Sequence, residues 1–331
     1  MLRGACLLLF AHARCEAAAT MRDQSTCSSS QRHSSRAAVH QQSASLLALR
    51  GGGSTDAASE AKEKLSSWWS SKASGFAAMQ KKTAVDPNRN KAAALLKKRG
   101  EANANKAADL LRTALKKDPE NAEIKMELAD ALNMVMRIKT NANSLVIEGV
   151  QDSPAFKNIW RTLGGEAFPL ATDARKAFPN SVKALAVYAD SFLYFSSSKG
   201  IVKQALTGVG KKYLAIAKEL YKYPEQDSCV GCAFLGGFYN VAPWPVGSKG
   251  KARQYLREGA KKAPTRRNLY YAGVNAYQMG EFEDAQNYFS KALKAAPAKS
   301  ATSTEEDFVS FILTESKRGL KLTEKALAEG K

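Results

Sequence analysis

The stretch CVGCAFLGGFYNVAPWPVGSKGKA, from Cys229 to Ala252, holds three groups of residues whose types could do chemistry. Cys229 and Cys232 have the spacing of a redox pair, or of half a zinc site. The run from Val246 to Ala252 carries glycines and lysines that could cradle a phosphate. Pro243-Trp244-Pro245 holds an indole between two stiff residues, where it could meet a partner.

The rest of the composition removes most of this chemistry. All three histidines (His12, His33, His40) lie in the first 40 residues. A chain that loses its N-terminus has no Ser–His or Cys–His nucleophile and no histidine-containing metal site. Two cysteines alone do not complete a tetrahedral zinc site. The glycine-lysine run lacks the first glycine, the hydroxyl and the preceding strand of a phosphate loop. On a helix, Cys229 and Cys232 lie on adjacent turns of one face. They read as small buried apolar residues, with a redox-sensitive pair as the alternative. No catalytic residue, metal site or cofactor is expected, and binding is the remaining class of task.

Charge narrows the partners. Fifty Lys+Arg against 31 Asp+Glu give a net +19. That suits an acidic protein surface, nucleic acid or an anionic membrane surface, although the lysines are scattered rather than clustered.

Residues 1–53 read as an address rather than as fold. MLRGACLLLFAHA has an early arginine and an apolar run from Ala5 to Ala13. The run is shorter than the roughly 20 apolar residues that span a bilayer. A Ser-, Ala- and Arg-rich segment with Asp23 as its only acid follows, the composition of a transit peptide. The two together resemble the bipartite leader of algae with complex plastids, and a mitochondrial presequence is the alternative. Residues 54–87 form a linker that can hold an amphipathic helix, with Leu65, Trp68, Trp69 and Phe76 as its apolar residues.

From about residue 88 the apolar spacing is helical. Ala107, Leu110, Leu111, Ala114 and Leu115 share one helix face, and Asp118-Pro119 ends that helix. The same pattern stops at Pro179, Pro224, Pro264 and Pro297. Recurrence of one supersecondary unit implies a solenoid. Residues 88–331 are therefore predicted to be an all-α solenoid of about six antiparallel helical hairpins. A polar capping helix from about Thr304 to Glu329 would close it. Pro154, Gly164-Gly165 and Pro169 are expected to stretch or break the register in the middle.

The unit becomes specific over the 34 residues from Arg266 to Lys299. Leu269, Gly273, Gly280, Phe282, Ala285, Phe289, Ala292 and Pro297 fall where the tetratricopeptide (TPR) repeat places its large, small, turn, aromatic, small, aromatic, small and proline residues. This segment resembles that family. Gly273 and Ala285 would let two helices approach closely, and Phe282 and Phe289 would fill the seam with the next hairpin. In the preceding copy Gly236, Gly247, Ala252 and Pro264 take the corresponding places. There the packing and turn glycines stand eleven apart instead of seven, so about four residues around APWP are inserted. An inserted proline-rich loop resembles the TPR-like T component of TRAP transporter systems, and the microtubule-dynamics regulators have similar hairpins. The resemblance implies a binding or scaffold role and supplies no catalytic residues.

In a TPR groove the first helix of each unit lines the concave side. In the best repeat this selects Arg267, Tyr270, Tyr271, Val274, Tyr277 and Gln278, with Trp244, Phe238, Tyr239, Tyr188 and Phe192 from earlier hairpins. Arginine and tyrosines suit recognition of a protein or peptide partner. The Lys/Asn carboxylate clamp of some relatives is missing, because Tyr270 and Val274 stand in its places. A ligand-binding reading requires a cavity around Phe238, Tyr239, Trp244 and Tyr271 that is closed to peptides. A nucleic-acid or lipid reading requires binding that weakens steeply with salt.

Overall fold

The computed structural model describes residues 86–149, 151, 153–200, 207–298 and 303–330. The targeting peptide at 1–53 and nearly all of the linker at 54–87 lie outside the described residues. Described residues form eleven α-helices. They are α1 (Pro87–Lys98), α2 (Glu101–Lys117), α3 (Ala122–Lys139), α4 (Pro154–Ala177), α5 (Val182–Ser197) and α6 (Val209–Leu220). The second half comprises α7 (Val230–Val241), α8 (Lys249–Lys262), α9 (Arg266–Gln278), α10 (Phe282–Lys294) and α11 (Val309–Ala328). None is long and apolar enough to cross a membrane.

Each helix packs on the next in the chain, and the odd-numbered helices also meet one another, α3 on α5, α7 on α9 and α9 on α11. That is the nearest-neighbour stacking of a helical-repeat solenoid, with α3, α5, α7 and α9 the most deeply buried helices. The described residues thus make five hairpins and a terminal helix. Residues 154–177 run through Gly164-Gly165 and Pro169 as one continuous helix of 24 residues, longer than the 12–18 residues of the helices before and after it up to α10. Gly164 is instead a packing glycine: a Cβ there would lie 3.1 Å from the backbone of Phe195 in α5.

Local signals set the helix ends. The hydroxyls of Ser153, Ser181, Ser248 and Thr265 accept hydrogen bonds from first-turn N–H groups of α4, α5, α8 and α9. Lysines crowd the last turns of α1, α2, α8 and α10, where the helix dipole is negative.

The repeat grammar holds in the packing. Phe289 of α10 is fully buried. A Cβ on Gly273 would lie 2.8 Å from its ring and one on Gly319 of α11 2.6 Å. The ring fits only because both neighbouring helices present bare backbone. Gly236 performs the same service for Leu256 of α8, at 2.4 Å. In the inserted loop, a Cβ on Gly247 would fall 1.9 Å from the Ala242 carbonyl, so this turn admits only glycine.

Candidate functional site

The concave side is not open. Two of the chain's own segments lie in it. The first follows α3 and makes a left-handed turn at Asn141, Ala142 and Asn143 (φ 50°, 56° and 49°) before Ser144–Gly149. Tyr270 donates its hydroxyl proton to the Leu145 carbonyl at 2.8 Å, and Tyr271 donates to Ser144 Oγ at 3.0 Å. Gln278 Nε2 donates to the carbonyls of Val146 and Ile147 at 3.1 and 2.9 Å. The second segment, Ser303–Phe308, precedes α11 and enters between the first and last hairpins.

A chain of buried charges fixes this second segment. Arg99, in the α1–α2 turn, donates to Asp307 Oδ1 at 2.7 Å. Arg137 of α3 donates through Nε to Asp307 Oδ2 at 2.9 Å and through Nη1 to Asp190 Oδ2 of α5 at 2.6 Å. Arg267 of α9 donates through Nη1 to Asp227 Oδ2 at 2.8 Å, and Asp227 also accepts from the amide and hydroxyl of Thr304. Burial alone would disfavour the charge on Asp190, and its carboxyl is pushed up to about 6 although Arg137 opposes the rise. Buried ion pairs are costly to assemble and more costly to break, so these contacts hold the segment firmly in place.

The sequence-selected residues therefore divide. Tyr270 and Val274 have no exposed surface and Arg267 is 3% exposed. These three, with Tyr271, are engaged by the chain itself and present no face to a peptide in this structure. Tyr277 packs edge-on against Phe282, with ring centroids 5.4 Å apart. Tyr239 stacks on Tyr255, and Phe238 stacks on Tyr213 of α6. Tyr188 and Phe192 pack with Phe168 of α4. Trp244 alone stands clear, 90% exposed, beside Val246 at 51%. The Trp244–Pro245 peptide is cis.

Cys229 and Cys232 are free thiols and buried. Cys229 ends a second left-handed turn, Asp227-Ser228-Cys229 (φ 44°, 53° and 62°). The glycine between the cysteines has a packing reason: a Cβ on Gly231 would lie 2.5 Å from the Tyr221 backbone at the end of α6. Burial raises both thiols, that of Cys232 to about 12. Protonated thiols are poor nucleophiles and poor metal ligands, and here they pack as small apolar groups.

What the two inserted segments leave is a cavity of about 470 Å³ between α3, α5, α6, α7 and the α7–α8 loop. Its walls are mainly apolar and aromatic, with Trp160, Tyr194, Tyr213, Phe234, Phe238 and Tyr271 prominent and Trp244 at the rim. The polar exceptions include Asp190, Arg137, Arg267 and Asn143. Concave sites of this size, apolar with a few convergent polar groups, are where small molecules bind. The Asn141–Asn143 turn forms part of the wall, and the Asp227–Cys229 turn holds its carbonyls on Arg267 and Asn268 behind it. Left-handed residues other than glycine cost roughly 1–2 kcal/mol each, and such strain gathers at functional sites.

Arg137 and Asp190 are missing from the sequence selection. Each is the single charge in a mostly apolar run, in NMVMRI and VYADSFLYF, and that intrusion is the signal that marks them.

With the stacked hairpins, the deeply buried α3, α5, α7 and α9 and the Gly273–Phe289 seam in hand, the chain is an all-α, TPR-like helical-repeat protein. No protein-family model matches its sequence, and no curated protein matches it. Among solved structures it is similar to a thermophilic TPR protein of Thermus thermophilus. That match has 15% identity over 70% of this chain and 98% of that one, with a TM-score of 0.49. It is also similar to yeast Tom70, with 16% identity over 73% of this chain and 67% of that one and a TM-score of 0.25.

Proposed function

We propose that the protein is a non-enzymatic helical-repeat receptor that encloses a small, mostly apolar ligand in the cavity bounded by α5, α6 and α7. The observation that supports this reading is the occupied groove. Residues 141–149 and 303–308 fill the side along which a peptide would lie, and the remaining space is a mainly apolar, aromatic-walled cavity. Gly237 supplies the test. It lines the cavity, and a Cβ there would meet nothing within 4 Å. Gly237→Leu starts its side chain in open space and replaces a helical glycine with a better helix former. The full chain should bind an uncharged fluorescent naphthylamine saturably at one site. The variant should lose that binding by tenfold or more while keeping its melting temperature. Equal dye binding by both proteins would refute the cavity reading.

A second reading, binding of a protein or peptide partner, has its own support in Trp244 and Val246. Large apolar side chains this exposed on a proline-stiffened loop suit an interface anchor. For residues 1–53 we propose an organelle address, plastid in preference to mitochondrion. A fluorescent fusion of residues 1–60 should enter the organelle, and a cytosolic signal would remove the proposal.

A further inference from the structure

The polar groups of the cavity also bear on the charge of its ligand. Both arginines on the wall are already engaged. Arg137 spends Nε and Nη1 on Asp307 and Asp190. Arg267 donates to Asp227, to the carbonyls of Asp227 and Ser228, and to Asn268. The remaining nitrogen of Arg137, Nη2, lies 3.9 Å from Asp130, so an anion entering here would compete with the carboxylates and carbonyls already around both arginines.

Asp190 is placed differently. Its Oδ2 takes the Arg137 hydrogen bond, and none of the described residues donates to Oδ1. The side chain keeps 20% of its surface exposed and lines the cavity. Around it Arg99, Arg137 and Arg267 are outnumbered by Asp130, Asp190, Asp227, Asp307 and the buried Glu305. The remaining cation on the wall, Lys211, is solvent-exposed. The same cavity is lined by Tyr213, Phe234 and Phe238, with Tyr213 stacked on both phenylalanines at 5.6 and 5.5 Å. Aromatic faces attract cations and repel anions, most strongly where water is excluded.

We propose that the cavity takes an organic cation with an apolar body, an alkyl- or arylalkylammonium. Its nitrogen would sit against Asp190 and its hydrocarbon against Tyr213, Phe234 and Phe238. This rests on the reading of the cavity as a ligand site. A carboxylate oxygen without a donor among the described residues, in a cavity walled by aromatic rings, supplies both the counter-ion and the desolvated surround that such a group needs.

Three probes of one size separate the possibilities: heptyltrimethylammonium, octanoate and octanol, titrated calorimetrically into the full chain at pH 7.5 and pH 5. The cation should bind at least tenfold more tightly than octanoate at pH 7.5. Asp190 titrates near 6, among Arg137, Asp130, Asp227, Asp307 and the phenols of Tyr194, Tyr213 and Tyr271. At pH 5 it is mostly neutral, so cation affinity should fall by about tenfold while octanol affinity stays unchanged. Asp190→Asn should abolish both the preference and its pH dependence, with far-UV dichroism as the check on folding. If that variant does not fold, the pH comparison on the natural chain decides. Tighter binding of octanoate, or cation binding indifferent to pH, overturns the charge assignment and leaves the cavity reading standing. Binding of none of the three removes the cavity reading itself.

Discussion

Arg137→Met is expected to destabilise the folded chain by about 3–5 kcal/mol at pH 7.5, because it strips the counter-ion from two buried carboxylates at once. Asp307 has no exposed side-chain surface and Asp190 little. Asp307 retains Arg99, but Asp190 loses the one counter-ion hydrogen-bonded to it among the described residues. The loss is a large share of the 5–15 kcal/mol that typically holds a domain together. It should appear in urea unfolding as a lower midpoint, with native hydrogen exchange lost first around Ser303–Phe308.

The pH dependence gives this prediction a sign. In the intact protein burial raises Asp190 from 3.8 to about 6 against the opposing pull of Arg137. A carboxyl raised in the folded state favours folding below its unfolded value, and that contribution disappears as pH rises through the folded value. Without Arg137 the burial penalty is unopposed and the folded value rises further. The variant's deficit should therefore shrink as the pH falls from 7.5 toward 5. A deficit that stays constant over that range would show that Arg137 acts through packing rather than charge.

The architecture was legible in the sequence because it follows from short-range rules. Proline at the ends of α2, α4 and α8, hydroxyl caps, and small residues spaced to the helix period all operate within one hairpin. Gly273, Ala285, Phe289 and Ala292 pack as the repeat spacing implies, Phe282 packs on Tyr277 of its own hairpin rather than on the next, and Gly236 and Gly247 do the jobs their register assigns. The site was only partly legible. Phe238, Tyr271 and Trp244 were selected as groove residues, and all three border the cavity. The spacing could not show that residues 141–149 and 303–308 would enter the groove. Those contacts join positions far apart in the chain, such as Arg99 with Asp307 or Tyr270 with Leu145. No local periodicity encodes them. Arg267 and Tyr270 were selected as groove residues, and what they face is the chain itself.

Phe289→Ala is expected to cost a further class of energy, that of an empty core, at about 3–5 kcal/mol. The ring is fully buried, 6.1 Å from that of Tyr270, and is held between Gly273 and Gly319 on two different helices. Neither glycine can grow a side chain to fill the gap, so the site cannot collapse far. The converse substitution tests the geometry. Gly273→Ala puts a methyl 2.8 Å from the ring and should cost about 1–3 kcal/mol by overpacking. Combined with Phe289→Ala, the same methyl enters vacated space and should stabilise rather than destabilise. The double variant should then be more stable than the sum of the single changes implies, by about 1 kcal/mol or more, measured as a coupling energy from chemical denaturation. Gly319→Ala should behave in the same way from the other side of the ring. Additive losses would mean that the ring does not separate α9 from α11, and that the two glycines serve only backbone conformation. The cycle thus decides whether the seam between the last repeat and its cap is set by one aromatic ring held between two bare helices.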